Sequence, residues 1–215
     1  GGNHMTTVVL DEAPLPPEIE IVPLIQEPSK IIINMKDTIG SMKQKPRPIE
    51  ENDIGMYQAL LEKQYKEKFD ITKEQLAQID VLNESILFKS DEPSLYIQMF
   101  HTIEKPQTYE DFQNSIKQLL NGPNNSAKIN LNFNQKNYFT FRAIDQHGKF
   151  SNPTDVYEVE IKEENGMSFP VIKVLDLEEE AKKTEQFERE KNQKFSLTGK
   201  RFIHIKPCYQ QWVMK

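Results

Sequence analysis

Apolar positions change their spacing along this chain, and each change marks a new predicted element. Two strand-like runs come first, Glu18 to Ile25 and Lys30 to Met35, parted by the turn-forming Glu27-Pro28-Ser29, which reads as a β-hairpin. The unbroken Ile31-Ile32-Ile33 run predicts burial on both faces. Pro14, Pro16 and Pro17 before the hairpin and Pro46 and Pro48 after it fix φ and remove backbone donors, as expected of edge strands or connectors. From about Glu51 the spacing becomes helical. Ile54, Tyr57, Leu60, Leu61, Tyr65 and Phe69 recur every three or four residues, with Asn52 or Asp53 able to cap, and predict an amphipathic helix ending near Asp70. A second helix is predicted where Thr72 precedes Gln75 by three residues and Leu76, Ile79 and Leu82 share a face.

From Glu84 to Val174 the period returns to two. Ile86 and Phe88 alternate before the charged turn Ser90-Asp91-Glu92-Pro93, and Leu95, Ile97 and Met99 alternate with Tyr96, Gln98 and Phe100. The polar stretch from Tyr109 to Leu120 reads as a loose connection holding a short helix, followed by a loop at Asn121 to Ser126. Strands resume at Ile129 to Phe133, Tyr138 to Ile144 and Val156 to Ile161. Many short strands without long intervening helices predict an antiparallel β-sandwich. Asp176 to Gln193 is a charged run in which Glu178 leads Lys182 and Glu179 leads Lys183 by four residues, the spacing of a solvated helix. One further strand is expected at Arg201 to Lys206. The predicted organisation is therefore a cloning scar at 1–5, an N-terminal hairpin and helical region at 6–82, a sandwich at 83–175, and a charged helix with a terminal strand at 176–215.

The stretch Asn137-Tyr138-Phe139-Thr140-Phe141-Arg142-Ala143-Ile144-Asp145-Gln146-His147-Gly148-Lys149-Phe150-Ser151-Asn152-Pro153 resembles the F strand, the FG turn and the start of the G strand of fibronectin type III-like domains. The residues make physical sense in that role. Phe139, Phe141 and Ala143 fall on one face, Asp145 can bond its own downstream backbone, Gly148 can supply a positive φ, and Pro153 would open an edge strand from Val156 to Ile161. The resemblance implies an Ig-like fold over about 84–175, with strand B at Ser85 to Ser90, C at Leu95 to Thr102 and E at Lys128 to Phe133. Where the family often has tryptophan in strand B the chain has Phe88, and its corner tyrosine falls on Asn137. The Glu104 to Asn125 connection exceeds the family's usual C to E length.

Composition narrows the functional classes. Of 215 residues 37% are hydrophobic and 28% charged, below the apolar content of about 45–50% usual for globular chains, so part of the chain should lie outside any core. No run reaches the roughly 18 apolar residues of a membrane helix. The net charge of −6 argues against affinity built on neutralised phosphates, although Phe202, Tyr209 and Trp212 sit among basic residues in the tail. Cys208 is the sole cysteine, so no intrachain disulfide can form, and lysine, asparagine and isoleucine abound as in AT-rich coding sequences.

Catalytic constellations are not found in the sequence. His101, His147 and His204 fall in separate predicted elements without the spacing of metal ligands. Neither a phosphate loop nor a nucleophile elbow occurs, and Asp91-Glu92 and Glu110-Asp111 read as hydrated turn carboxylates. The expectation is a non-enzymatic structural or protein-interaction protein without a cofactor, a component of a virus or phage particle or of a cell surface, working with protein partners or by self-assembly through loops and sheet edges. The alternative is an accessory module of a larger enzyme that binds carbohydrate or peptide. Tyr96, Phe100, Tyr109, Phe202 and Trp212 are the candidate partner-binding residues.

Overall fold

The computed structural model describes residues 12–68, 72–76, 78–122, 125–179 and 181–183. The chain is mainly β, with antiparallel sheets and a few helices. Its elements are β1 (Glu18–Pro23), β2 (Lys30–Lys36), β3 (Gly40–Gln44), α1 (Glu51–Lys68), α2 (Lys73–Leu76), β4 (Ile86–Ser90), β5 (Tyr96–Thr102), β6 (Ile116–Asn121), β7 (Asn125–Asn130), β8 (Lys136–Ile144), β9 (Val156–Glu164) and β10 (Met167–Leu175). Among the described residues three sheets result, in the orders β1-β2-β7, β10-β9-β8-β5-β6 and β3-β4.

The first two sheets share one hydrophobic core. Ile31, Ile33 and Met35 of β2 and Ala127 of β7 meet Ile97 and Met99 of β5, Phe139 and Phe141 of β8, and Val159 and Ile161 of β9. These positions alternate along each strand, as expected when one face of a sheet is buried against another. The alternation predicted through Ile97 and Met99 and through Phe139 and Phe141 is thus the pattern the core uses, while Leu95, expected to share it, is exposed ahead of β5.

Strand pairing departs from expectation in one important respect. Ser85 to Ser90, expected as strand B, forms β4, but β4 pairs with β3 in a two-stranded sheet, Phe88 opposite Met42. The place beside β7 is taken by β2, with Ile31 opposite Ile129 and Ile33 opposite Ala127. The N-terminal hairpin therefore belongs to the same core as the strands beyond residue 95, rather than to a region ending at 82. Residues 37–94 are an excursion between β2 and β5. Periodicity identifies strands but carries no information on partners.

The excursion has its own core, in which Tyr57, Leu60 and Leu61 of α1 pack with Ile86 and Phe88 of β4, Val81, and Ala13 and Leu15. Asp53 reaches back to accept from the Ile49 and Glu50 amides, both at 2.9 Å, satisfying donors that open a helix. The box predicted at Thr72 forms, the Thr72 amide donating to Gln75 Oε1 and the Gln75 amide to Thr72 Oγ1. The polar stretch at 109–120 splits into a 3-10 turn over Tyr109–Asn114 and β6, so half of the expected loose connection is strand.

Val156 onward is not an edge, because β10 covers β9 over its whole length. β8 pairs with β9 only from Lys136 to Phe139. Beyond that point Ser151 and Thr154 side chains complete the β8 ladder, accepting from the Ala143 amide at 2.9 Å and the Phe141 amide at 3.1 Å. The Asp145 turn forms as read: Asp145 Oδ1 accepts from the His147 and Lys149 amides and Gly148 has φ of 76°.

Residues 176–215 form a separate unit, described only to Lys183. Asp176 Oδ1 accepts from the Glu178 and Glu179 amides, and Glu179 pairs with Lys183 at 2.8 Å, the four-residue spacing the sequence predicts. The remainder of the charged run and the strand expected at 201–206 lie outside the described residues.

Candidate interaction surfaces

The outer face of the five-stranded sheet centres on Arg142. Strand alternation turns Arg142 away from Phe141 and Ala143, toward the N-terminal turn of α1. There its guanidinium meets Asp53 at 2.9 Å and Glu50 at 3.5 Å, and its Nε donates to Gln98 Oε1 at 2.8 Å. The side chain is 5% exposed and that of Asp53 2%. Phe150 and Phe100 flank the same guanidinium, their ring centroids 4.2 and 5.2 Å away, so cation–π contact supplements the ion pair. Lys117 also pairs with Glu50. That hydrogen bond, with the Arg142 charge behind it, holds the Glu50 carboxyl below its ordinary value against the opposing effect of burial. Burial, with the Asp53 charge adding to it, pushes the Tyr57 hydroxyl upward.

A second clasp joins the excursion to the turn after β8. Asn152 accepts from the Arg47 amide at 3.1 Å and donates to the Lys45 carbonyl at 2.7 Å. Arg47 pairs with Asp155 at 3.1 Å and lies over the Tyr109 ring at 5.3 Å. Through these contacts the face holds the excursion in place.

The aromatic residues expected to meet a partner are distributed accordingly. Phe100 is fully buried beneath Arg142 and Lys117. Tyr109 is buried as well, so neither ring faces a partner. Tyr96 is half-buried at the start of β5, opposite Ile144 and Asn121. Phe202 and Trp212 lie outside the described residues. The structure does not gather Tyr96, Phe100 and Tyr109 into one exposed surface. The strand positions of Tyr96 and Phe100 and the turn position of Tyr109 are legible in the sequence, but which face of β5 is covered depends on the docking of α1.

A polar cleft of about 560 Å³ lies in the connection from β5 to β6, lined by Thr102, Glu104, Lys105, Gln107, Glu110 and Asn114 among others. Asp111, also on its wall, is committed to the Gln107 and Thr108 amides at 2.7 and 3.0 Å. His101, next to the cleft, stacks on Phe139 with centroids 4.4 Å apart and shares a 2.9 Å hydrogen bond with Asn137, the position where the resemblance would put a corner tyrosine. Among the described residues no group of three or more His, Cys, Asp or Glu side chains is placed to hold a metal ion.

Some exposed apolar side chains lie at the margins of the five-stranded sheet, while others, such as Ile25 and Ile39, lie in connections. Ile116 and Leu119 are exposed on β6 at one margin, and Met167, Phe169, Ile172 and Val174 on β10 at the other. The sequence carried an unread signal for β10: Asn165-Gly166, flanked by alternating apolar residues, is a strong short-range mark of a tight hairpin. Both residues adopt positive φ, 55° and 76°.

No protein-family model matches the chain, and no curated protein matches it. Among the described residues no helix is long and apolar enough to cross a membrane.

Proposed function

We propose that this chain is a non-enzymatic structural or interaction protein built on a fibronectin type III-like sandwich. The order β1-β2-β7 facing β5-β8-β9 corresponds to strands A-B-E facing C-F-G, with β6 in the added position beside C. In this reading the family's B to C connection is enlarged into the excursion at 37–94. Strand B is β2, and β10 is an added strand beyond G. Such modules act by presenting loops and edges to protein partners. A component of a virus or phage particle, or a surface protein, would use a disulfide-free, lysine-rich chain in this way.

The observation that carries the proposal is the run of exposed apolar residues along one sheet-margin strand, β10, with Met167 and Phe169 on one face and Ile172 and Val174 on the other, a strand edge open to a partner. A second reading, an accessory module binding carbohydrate or peptide, is favoured only by the polar cleft between β5 and β6. Light scattering behind size exclusion, run beside glycan and peptide arrays, separates the two. Defined multimers or a protein complex are expected; a concentration-independent monomer that scores on the glycan array would replace the first reading with the second.

A further inference from the structure

We propose that β10 is a self-association edge, pairing antiparallel with β10 of a second copy of this chain about a two-fold axis at Val171. The inference rests on the reading of the chain as an interaction protein and names the partner of one of its edges.

Among the described residues the two sheets that share the core end in four strand edges, and each carries some feature that discourages pairing, Pro170 and Lys173 on β10 included. β1 presents Glu18, Glu20 and Pro23 and follows Pro16-Pro17. β7 presents Lys128 between Asn125 and Asn130. β6 has apolar Ile116 and Leu119 but also Lys117, Gln118 and Asn121. β10 differs in length and character: Met167 is 71% exposed, Phe169 42%, Ile172 38% and Val174 58%. Its turn end is also poorly supported. β8 reaches β9 only at residues 157–160, and beyond them β9 is held by Phe133 and Asn134, the Asn134 amide donating to the Ile161 carbonyl at 2.8 Å and the Glu163 amide to Asn134 Oδ1 at 3.0 Å, so only the tip of the β9–β10 hairpin continues as a two-stranded ribbon, an arrangement of marginal stability unless something packs on it.

Hairpin geometry says which backbone groups are free. With Asn165-Gly166 as a two-residue turn, Glu164 and Met167 form the first mutually bonded pair. Amides of Met167, Phe169, Val171 and Lys173 therefore point to β9, and those of Ser168, Ile172 and Val174 point to the open edge. Pro170 falls on the open side, where its missing donor leaves the β9 ladder intact.

The register that overlaps two β10 strands along their full length is self-complementary. It sets Val171 opposite its own copy, Phe169 opposite Lys173, Met167 opposite Leu175, and Pro170 opposite Ile172. No like charges face each other, and each Phe169 ring receives an aliphatic stem bearing a cation. Shifting the strands so that Lys173 faces its own copy would oppose two cations and leave the Met167 end unpaired. A second copy thus matches the edge both in backbone direction and in side-chain chemistry.

Sedimentation velocity and crosslinking on the full chain test the proposal. The wild type should show a reversible species of twice the 25.1 kDa chain mass. Ile172→Pro, which removes an outward amide while leaving the backbone bonds to β9 in place, should be monomeric with an unchanged circular dichroism spectrum. In a Cys208→Ser background, Val171→Cys should oxidise to a disulfide dimer, because directly opposed unbonded pairs lie within disulfide reach. Phe169→Cys alone should not crosslink, but should do so when mixed with Lys173→Cys. If Ile172→Pro unfolds, the cysteine pattern decides. A wild-type monomer at all concentrations, or cysteine variants that ignore this pattern, overturns the inference. Multimers that survive Ile172→Pro without a Val171→Cys crosslink overturn it while leaving the interaction reading intact; a monomer that binds glycans overturns both.

Discussion

Arg142 brings a cation into a site with almost no water, and its stability there depends on Asp53, Glu50 and Gln98 answering it together. Removing one member of a buried ion pair strands the other charge, at a typical loss of about 3–5 kcal/mol. Arg142→Met and Asp53→Ala should each lose stability in that range. The double variant should lose clearly less than the sum, since no unpaired charge remains between them; additive losses in urea unfolding would show the two to be uncoupled. Glu50 gives a pH signature at the same place. Its carboxyl lies below the ordinary value of 4.5, chiefly through the Lys117 hydrogen bond, so the folded state binds that proton less readily than the unfolded state. Its contribution is complete above the unfolded value and disappears as pH falls through the lower folded value. The melting-temperature gap between wild type and Glu50→Gln should be full at pH 6 and close progressively below about pH 4.5; a gap constant with pH would rule the pairing out.

Elements were legible to the extent that their signals were local. Tyr57, Leu60 and Leu61 of the α1 stripe, the Thr72 box, the Asp145 turn and the alternation within β5 and β8 all follow from neighbours within a few residues, and each forms, whereas Ile54 of the same stripe is exposed. What failed was long-range. Ser85–Ser90 and Lys30–Met35 are equally good strands, and only the competition for the edge of β7 decides that Ile31 and Ile33 win it while Phe88 turns to Tyr57, their rings 6.2 Å apart. Phe100 was read as available because its concealment comes from Arg142 and Lys117, groups brought over it by tertiary structure. Two glycines test the element boundaries directly. Gly55 lies in α1 with open space around its Cβ position and no positive φ, so Gly55→Ala should raise stability by about 0.5–1 kcal/mol. Gly166 also has open space, but its φ is +76°, so Gly166→Ala should cost roughly 1–2 kcal/mol through backbone strain alone. Thermal denaturation of the pair separates the conformational effect from packing; equal shifts would contradict the turn assignment.

At the scale of the whole molecule, the low hydrophobic fraction and the net charge of −6 are unevenly spent. The core between β2, β5, β8 and β9 is densely aromatic and aliphatic, and the excursion closes a second core around Tyr57 and Phe88, so two faces of β8 are buried rather than one. β10, at a sheet margin, keeps Met167, Phe169, Ile172 and Val174 exposed. This unevenness predicts a concentration-dependent pattern in amide hydrogen exchange. Phe169, Val171 and Lys173 donate to β9 and should be protected at every concentration. Ser168, Ile172 and Val174 donate outward and should exchange freely in dilute solution, then slow together as β10 strands pair. Protection alternating along one strand requires that the new partner lie in the plane of the sheet, whereas packing against either face would slow exchange without that alternation. Uniform slowing would therefore exclude strand addition even if the protein associates, and no concentration dependence anywhere in β10 would return this edge to solvent.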